Sequence, residues 1–143
     1  MLLMFSVIIG KIDSEIAKII ENEVRQEFGF KKIGEQWLNE TLMFHIVQSL
    51  FPQCNVFQHY RPKWLQGLEL DVFVDTMNIG FEYQGIQHFK PIKHWGGPEK
   101  LAIQQEHDKR KRELCNNQGV KLITICYNEP ISESLIRIKL REE

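Results

Sequence analysis

Two segments of alternating polarity around a short turn constrain the fold of this chain more than any other feature. Residues 68–74 and 79–84 alternate in the way that half-buried strands do, and Asp75-Thr76-Met77-Asn78 between them has turn composition. If Asp75 and Asn78 close this hairpin, Asp71 lies opposite Glu82 and Glu69 lies opposite Gln84. The pattern predicts that these four side chains project from one face of a sheet.

The predicted pairing brings two like charges together. Directly opposed carboxylates destabilise a sheet, so Asp71 and Glu82 need either solvent or a cation beside them. A solvated outer face is common in antiparallel sheets. The other interpretation is a divalent cation held by both carboxylates, because hard cations take several oxygen ligands. We expect Mg²⁺, with Mn²⁺ as a substitute.

Further segments have helix or strand periodicity along the rest of the chain. Helical spacing is found over residues 12–28, 35–51, 98–117 and 131–140, and strand character over residues 55–60 and 120–127. The order of helix, helix, three antiparallel strands, helix, strand and helix predicts an α/β or α+β fold. Its centre is a mixed sheet of about four strands flanked by helices.

Composition places the chain among ordinary globular domains. The 143 residues are 43% hydrophobic and 26% charged, which fits one domain. The chain has three cysteines, which are Cys54, Cys115 and Cys126. Because their number is odd and no two of them form a C-x-x-C motif, neither a disulfide framework nor a zinc ribbon is expected. We expect a reducing, cytoplasmic environment. The apolar residues 1–10 are too few to span a membrane and lack the marks of a signal peptide, and we expect a packed strand or helix turn there.

Four further polar residues have spacings that allow two interpretations each. Glu40 lies on a mostly apolar side of its predicted helix, where it either favours the helix start or takes part in a site. Asp108 and Lys111 share a helix face and form either a surface pair or an inward-pointing polar pair. His88 is either a hydrogen-bonded loop residue or a group that carries a proton near neutral pH.

Basic residues are concentrated in one part of the chain. The net charge is only −1, but residues 88–112 contain seven Lys or Arg against three acids. These cations form either a solvated helix face or contacts to phosphates that give affinity without sequence readout. The candidates for phosphate contacts are Arg61, Lys90, Lys93, Lys109, Arg110 and Arg112. Trp95 is a candidate for stacking on a base or for anchoring its loop.

Four sequence blocks in a fixed order resemble a known family. They are Leu68-Glu69-Leu70-Asp71, Phe81-Glu82-Tyr83-Gln84-Gly85-Ile86-Gln87-His88-Phe89, Trp95-Gly96-Gly97, and Asp108 with Lys111 and Cys115. Together they resemble the PD-(D/E)XK nuclease superfamily, in the branch of the very-short-patch repair endonuclease and the EDxHD homing endonucleases. The resemblance implies a restriction-endonuclease-like core over residues 35–127, with a helical extension over residues 1–33 and a last helix over residues 130–143. It further implies Mg²⁺-dependent hydrolysis of DNA, with double-stranded DNA as partner. Since double-strand cleavage by an enzyme with one site usually calls for two protomers, a homodimer is one alternative and a monomer the other.

The resemblance also implies roles for individual residues. It assigns a helical acid to Glu40, the central metal-binding aspartate to Asp71, the second acid to Glu82, the histidine after the third strand to His88 and the acid of the next helix to Asp108. The chain departs from the family at Gln84, where lysine is usual, and at Leu70, where proline is usual. Gln84 would then orient water or metal, and His88 or Lys111 would activate the water.

The departure at Gln84 keeps a second function open. A chain of this fold that had lost the reaction would be a catalytically inactive nucleic-acid-binding or interaction module. A nuclease for RNA or single strands is a third alternative.

Overall fold

The computed structural model describes residues 16–20, 35–93 and 96–142. The chain divides into two units, Met1–Leu42 and Met43–Glu143. Residues 16–20 are helical, within the predicted helix over residues 12–28. The prediction for residues 1–10 and the candidate Trp95 lie outside the described residues.

The helices and strands follow the predicted order, with bounds that differ from the prediction by no more than two residues. They are helix α1 (Glu35–Leu50), strands β1 (Val56–Tyr60), β2 (Leu70–Val74) and β3 (Ile79–Gln84), helix α2 (Gly97–Asn117), strand β4 (Lys121–Cys126) and helix α3 (Glu133–Arg141). Two short 3-10 helices, Lys63–Leu65 and Ile86–His88, lie in the connections. None of the described helices has the length and apolarity that crossing a bilayer requires.

The four strands form one mixed sheet in the order β1-β2-β3-β4. The first three strands are antiparallel neighbours, and β4 runs parallel to β3. A parallel neighbour needs a crossover connection, which α2 supplies. Val72 pairs with Phe81 and Val74 pairs with Ile79, so the predicted hairpin register and the predicted α+β class with a mixed four-stranded sheet are confirmed.

The predicted alternation along β2 is wrong at one point. Leu70 belongs to the same buried cluster as Phe73 and Cys115. Its Cδ1 lies 3.0 Å from the position of a Cβ added at Gly80, which pairs with Phe73. Residues three apart lie on opposite faces of a regular strand, so the pleat is interrupted between Leu70 and Phe73. In β1 the residue opposite this interruption, His59, has a positive φ of 53°.

Helix α2 packs on the Phe73 side of the sheet through one face. Its buried residues are Asp108 and Cys115, seven positions apart and therefore on one side of the helix. Cys115 packs with Leu65, Leu70 and Val120. The helix ends at Asn117, and Gly119 follows with φ +69°, the left-handed conformation that glycine adopts without strain. Helix α2 therefore carries its polar residues Asp108 and Lys111 towards the sheet.

Candidate functional site

Glu82 is a buried carboxyl group in β3 that faces α2. Its side chain is only 4% exposed, and its Oε1 accepts a hydrogen bond from Nζ of Lys111 at 2.8 Å. Burial and the neighbouring carboxylate of Asp71 raise the pKa of Glu82 to about 8, and the ammonium of Lys111 offsets only part of this effect. The negative charge of Asp108 acts in the same direction as that of Asp71. Lys111 therefore offsets only part of the cost of ionising Glu82.

Asp71 lies at the point where the pairing of β2 with β3 ends. Its Oδ2 accepts a hydrogen bond from the backbone N–H of Tyr83 at 2.8 Å, so the side chain takes the place of a backbone acceptor. This bond accounts for the interrupted pleat, because Asp71 reaches towards the backbone of β3 instead of simply projecting from the sheet. It also keeps the carboxylate close enough to Glu82 to raise the pKa of that residue.

His88 and Asp108 form a second buried polar pair. Their exposed fractions are 9% and 8%, and Nδ1 of His88 lies 2.8 Å from Oδ2 of Asp108. Nε2 of Gln104 donates to Oδ1 of the same carboxylate at 3.2 Å. Burial raises the pKa of Asp108, but the hydrogen bond and the charge of His88 outweigh burial and leave this pKa below its usual value. The ionised carboxylate fixes the orientation of the imidazole ring.

Asp108 and Lys111 lie on the same side of α2, as their spacing predicts, but they do not form a surface pair. Asp108 contacts His88 of the 3-10 helix Ile86–His88, and Lys111 contacts Glu82 of β3. One turn of α2 therefore joins both polar pairs to the sheet. The interpretation as an inward-pointing polar pair is the correct one.

An open cleft of about 550 Å³ lies at the pair of His88 and Asp108, whereas Asp71, Glu82 and Lys111 are not part of its lining. Its lining includes three predicted catalytic residues and two predicted phosphate-binding residues, namely Gln84, His88, Asp108, Lys109 and Arg112. The cleft therefore brings together side chains that are up to 28 positions apart in the chain, as counted from Gln84 to Arg112.

The other predicted phosphate-binding residues have different surroundings. Lys90 and Lys93 are exposed in the connection before α2. Nε of Arg61 lies 2.5 Å from Oε2 of Glu69, so its charge is balanced by a neighbour. Arg110 donates to the backbone carbonyl of Gln66 at 3.4 Å and joins α2 to the loop after the first 3-10 helix. Lys109 and Arg112 are thus the predicted phosphate-binding residues that line the cleft.

Glu40 lies half-buried on α1, within the unit Met1–Leu42. The polar pairs and the cleft lie in the other unit, Met43–Glu143. The participation of Glu40 in the site stays a prediction.

The donor atoms around Glu82 suit a hard cation. Within residues 16–20, 35–93 and 96–142, no three or more His, Cys, Asp or Glu side chains are arranged to hold a metal ion. Mg²⁺, however, keeps several waters and is usually bound by one or two carboxylates together with substrate phosphates. Asp71 and Glu82 supply two carboxyl groups, and a cation bound there would replace the proton of Glu82. These residues fit Mg²⁺ or Mn²⁺ better than zinc, which prefers nitrogen and sulfur ligands.

Two aromatic residues at the cleft were not predicted as functional. Phe89 lines the cleft, and Tyr127 lies against Phe89 with 5.7 Å between ring centroids. The sequence holds a signal for both, because Phe89 directly follows the candidate His88 and Tyr127 directly follows a predicted strand. Ligands of sheets with parallel strands bind at the carboxyl ends of those strands.

The chain is similar to proteins of three viruses. The uncharacterized protein 307L of Invertebrate iridescent virus 6 is 39% identical over 119 residues, which cover 75% of this chain and 59% of the relative. The uncharacterized protein 094L of Frog virus 3 (isolate Goorha) is 36% identical over 74 residues, or 50% of this chain and 48% of the relative. The uncharacterized protein 033L of Invertebrate iridescent virus 3 is 32% identical over 84 residues, or 54% and 43%. The chain thus spans about half the length of these relatives. No family model and no solved structure gives a significant match.

Proposed function

We propose that this chain is a metal-dependent endonuclease that hydrolyses phosphodiester bonds of DNA. The observation that carries the proposal is the buried pair of Glu82 and Lys111 beside Asp71, with a second pair, His88 and Asp108, bordering a cleft. Phosphodiester hydrolysis needs a cation site, a group that transfers a proton and positive charge for the phosphates. All three requirements have candidates among β2, β3, the 3-10 helix Ile86–His88 and α2.

The strand arrangement supports the resemblance to the PD-(D/E)XK superfamily. A helix, an antiparallel three-stranded meander, a crossover helix and a parallel fourth strand are what we expect of a restriction-endonuclease-like core. The chain lacks the usual lysine at Gln84. Lys111 supplies an ammonium group to Glu82 from α2 instead, so the departure at Gln84 does not leave the site without a buried cation.

Asp71 and Glu82 would hold Mg²⁺ or Mn²⁺, which when bound lowers the pKa of a water molecule and stabilises charge on phosphate oxygens. Lys111 adds a positive charge at the same carboxylate and favours the negatively charged transition state. His88 donates Nδ1–H to Asp108, which leaves Nε2 to exchange a proton with water or with the leaving oxygen. Gln84, at the cleft, orients water through its amide.

Lys109 and Arg112 bind the backbone of the DNA at the cleft. Contacts of Lys and Arg to phosphates position a nucleic acid but do not read its sequence. We therefore propose limited sequence preference from these two residues and a strong dependence of binding on salt. Two copies of the chain would be needed to cut both strands of a duplex.

A plasmid-nicking assay tests the proposal. We expect supercoiled plasmid to be nicked in Mg²⁺, and nicking to be lost in EDTA and in Asp71→Asn, which keeps the size and the acceptor oxygen of the side chain. The matched control is Asp75→Asn, because Asp75 is an exposed acid of the same hairpin. Nicking by Asp71→Asn at the rate of the Asp75→Asn control would refute the assigned site. Salt-dependent DNA binding without cleavage in any divalent metal would favour the inactive binding module.

A further inference from the structure

Phe89 and Tyr127 form an aromatic pair that is open to solvent beside the cleft. Their exposed fractions are 43% and 38%, and the ring planes are inclined at 51°. Buried packing is the usual use of large aromatic rings, so two neighbouring exposed rings at a cleft need another explanation.

The backbone N–H groups of both aromatic residues are hydrogen-bonded, that of Tyr127 to the sheet and that of Phe89 to the 3-10 helix. The N–H of Tyr127 donates to the carbonyl of Gln84 at 2.9 Å and so extends the pairing of β3 with β4 by one step. Phe89 caps the 3-10 helix Ile86–His88, and its N–H donates to the carbonyl of Ile86 at 3.0 Å. Both residues thus follow the carboxyl ends of two parallel strands, and their backbone is fixed by hydrogen bonds.

The groups around Phe89 match the parts of a nucleotide. The cleft presents the cations of Lys109 and Arg112 together with the amides of Gln84 and Gln105. Its acids are Glu106 and Asp108, and Asp108 is hydrogen-bonded to His88. Its volume of about 550 Å³ lies in the range of small-ligand pockets. Cations bind phosphate, amides bind the edges of bases, and aromatic rings stack on their faces. An apolar protein segment would use the rings but neither the cations nor the amides.

We propose that Phe89 and Tyr127 stack on an unpaired base, so that the site binds single-stranded DNA and the substrate of the nuclease carries a single-stranded overhang or flap. A base inside a duplex has both faces covered by its neighbours, whereas an unpaired base exposes a face to a protein ring. The identification of the ligand as a nuclease substrate rests on the proposed function. The stacking itself needs no cleavage.

A binding experiment in EDTA tests the stacking. The probes are a blunt duplex and the same duplex with a single-stranded overhang of about 12 nucleotides, a length within the usual footprint of single-strand-binding sites. The overhang carries a fluorescent adenine analogue whose emission falls when it stacks. We expect the wild-type chain to bind the overhang probe about tenfold more tightly than the blunt duplex, and to quench the analogue.

Three variants separate stacking from folding. The double variant Phe89→Ala with Tyr127→Ala should bind the overhang probe as weakly as the blunt duplex and should not quench. Phe89→Leu keeps an apolar side chain at this position, so it should stay folded while quenching falls. Phe57→Ala, which removes an exposed aromatic ring of β1, should bind like the wild type.

Equal binding of both probes by the wild-type chain, or full quenching by the double variant, would overturn the proposal. Cleavage of the overhang duplex in Mg²⁺, measured on the same preparations, distinguishes this failure from that of the nuclease. Cleavage of the blunt and the overhang duplex at equal rates refutes the stacking alone. Preference for the overhang and quenching without cleavage support the stacking and refute the nuclease.

Discussion

A carboxyl group whose pKa lies near 8 makes folding depend on pH in a range where most acids are already ionised. Folded Glu82 keeps its proton between its ordinary pKa of 4.5 and about 8, whereas unfolded Glu82 has released it. The unfolded state therefore binds fewer protons in this range, and the free energy of unfolding falls as pH rises.

We predict that without metal the free energy of unfolding of the wild type falls relative to that of Glu82→Gln as pH rises through this range. The difference should be at most about 1.4 kcal/mol per pH unit. Urea unfolding in EDTA at several pH values measures it. Taking the difference between the two proteins removes the contributions of the other titrating groups. Parallel stability profiles would mean that Glu82 has an ordinary pKa.

The residues of the candidate site differ in how far the sequence alone could place them. The proximity of Asp71 and Glu82 follows from the register of a short hairpin, because pairing across a turn is a local property. Asp108 and Lys111 share a helix face for the same kind of reason. Their partners, His88 and Glu82, are 20 and 29 positions away and depend on how α2 lies on the sheet, which no local periodicity encodes.

Among the elements, β2 shows that the alternation of polar and apolar residues does not always predict which face of a sheet a side chain occupies. Alternation over residues 68–74 predicts a regular strand, and the register of β2 with β3 is as predicted. The side chain of Asp71 replaces a backbone acceptor for Tyr83, and this hydrogen bond interrupts the pleat so that Leu70 joins the Phe73 side. Hydrophobic periodicity does not indicate where a side chain competes with the backbone for a hydrogen bond.

The contact between α2 and β3 gives a prediction about the stability of these elements. At pH 9, where the carboxyl group of Glu82 is ionised, Lys111→Met removes its charged partner and should lower the free energy of unfolding by about 3 kcal/mol. Adding Glu82→Gln to Lys111→Met should restore most of this loss, because the uncompensated charge is then gone. The control is Lys109→Met, an exposed position of the same helix, which should change stability by no more than about 0.5 kcal/mol.

Urea unfolding monitored by circular dichroism measures all four proteins. If Lys111→Met were as stable as Lys109→Met, the ion pair would not contribute to the docking of α2 on the sheet.

At the scale of the whole molecule, a bound cation should stabilise the folded chain, because a ligand that binds only the folded state raises the free energy of unfolding. A tenfold excess of Mn²⁺ over its Kd should raise that free energy by about 1.4 kcal/mol. The gain should be larger at pH 8 than at pH 6, since the cation competes with the proton of Glu82. Thermal unfolding with increasing MnCl₂ measures the effect, which Asp71→Asn should abolish and Asp75→Asn should retain. An equal gain in both variants would place the ion elsewhere.

The order of helices and strands could be predicted along the described residues because each element has its own local signal, such as Pro98 and Gly119 at the ends of α2. The division into the units Met1–Leu42 and Met43–Glu143 has no such signal, because its boundary falls inside α1 and no change of composition marks it. The role of Glu40 therefore depends on an arrangement that periodicity does not specify.

The contact of Lys111 with Glu82 forms only late in protein synthesis. A growing chain exposes the hairpin of β2 and β3 before it has made residue 111, which is 29 positions later. Until α2 has left the ribosome, Glu82 lacks the ammonium group of Lys111, and His88 lacks the carboxylate of Asp108. A nascent chain therefore lacks both buried polar pairs while α2 is still inside the ribosome.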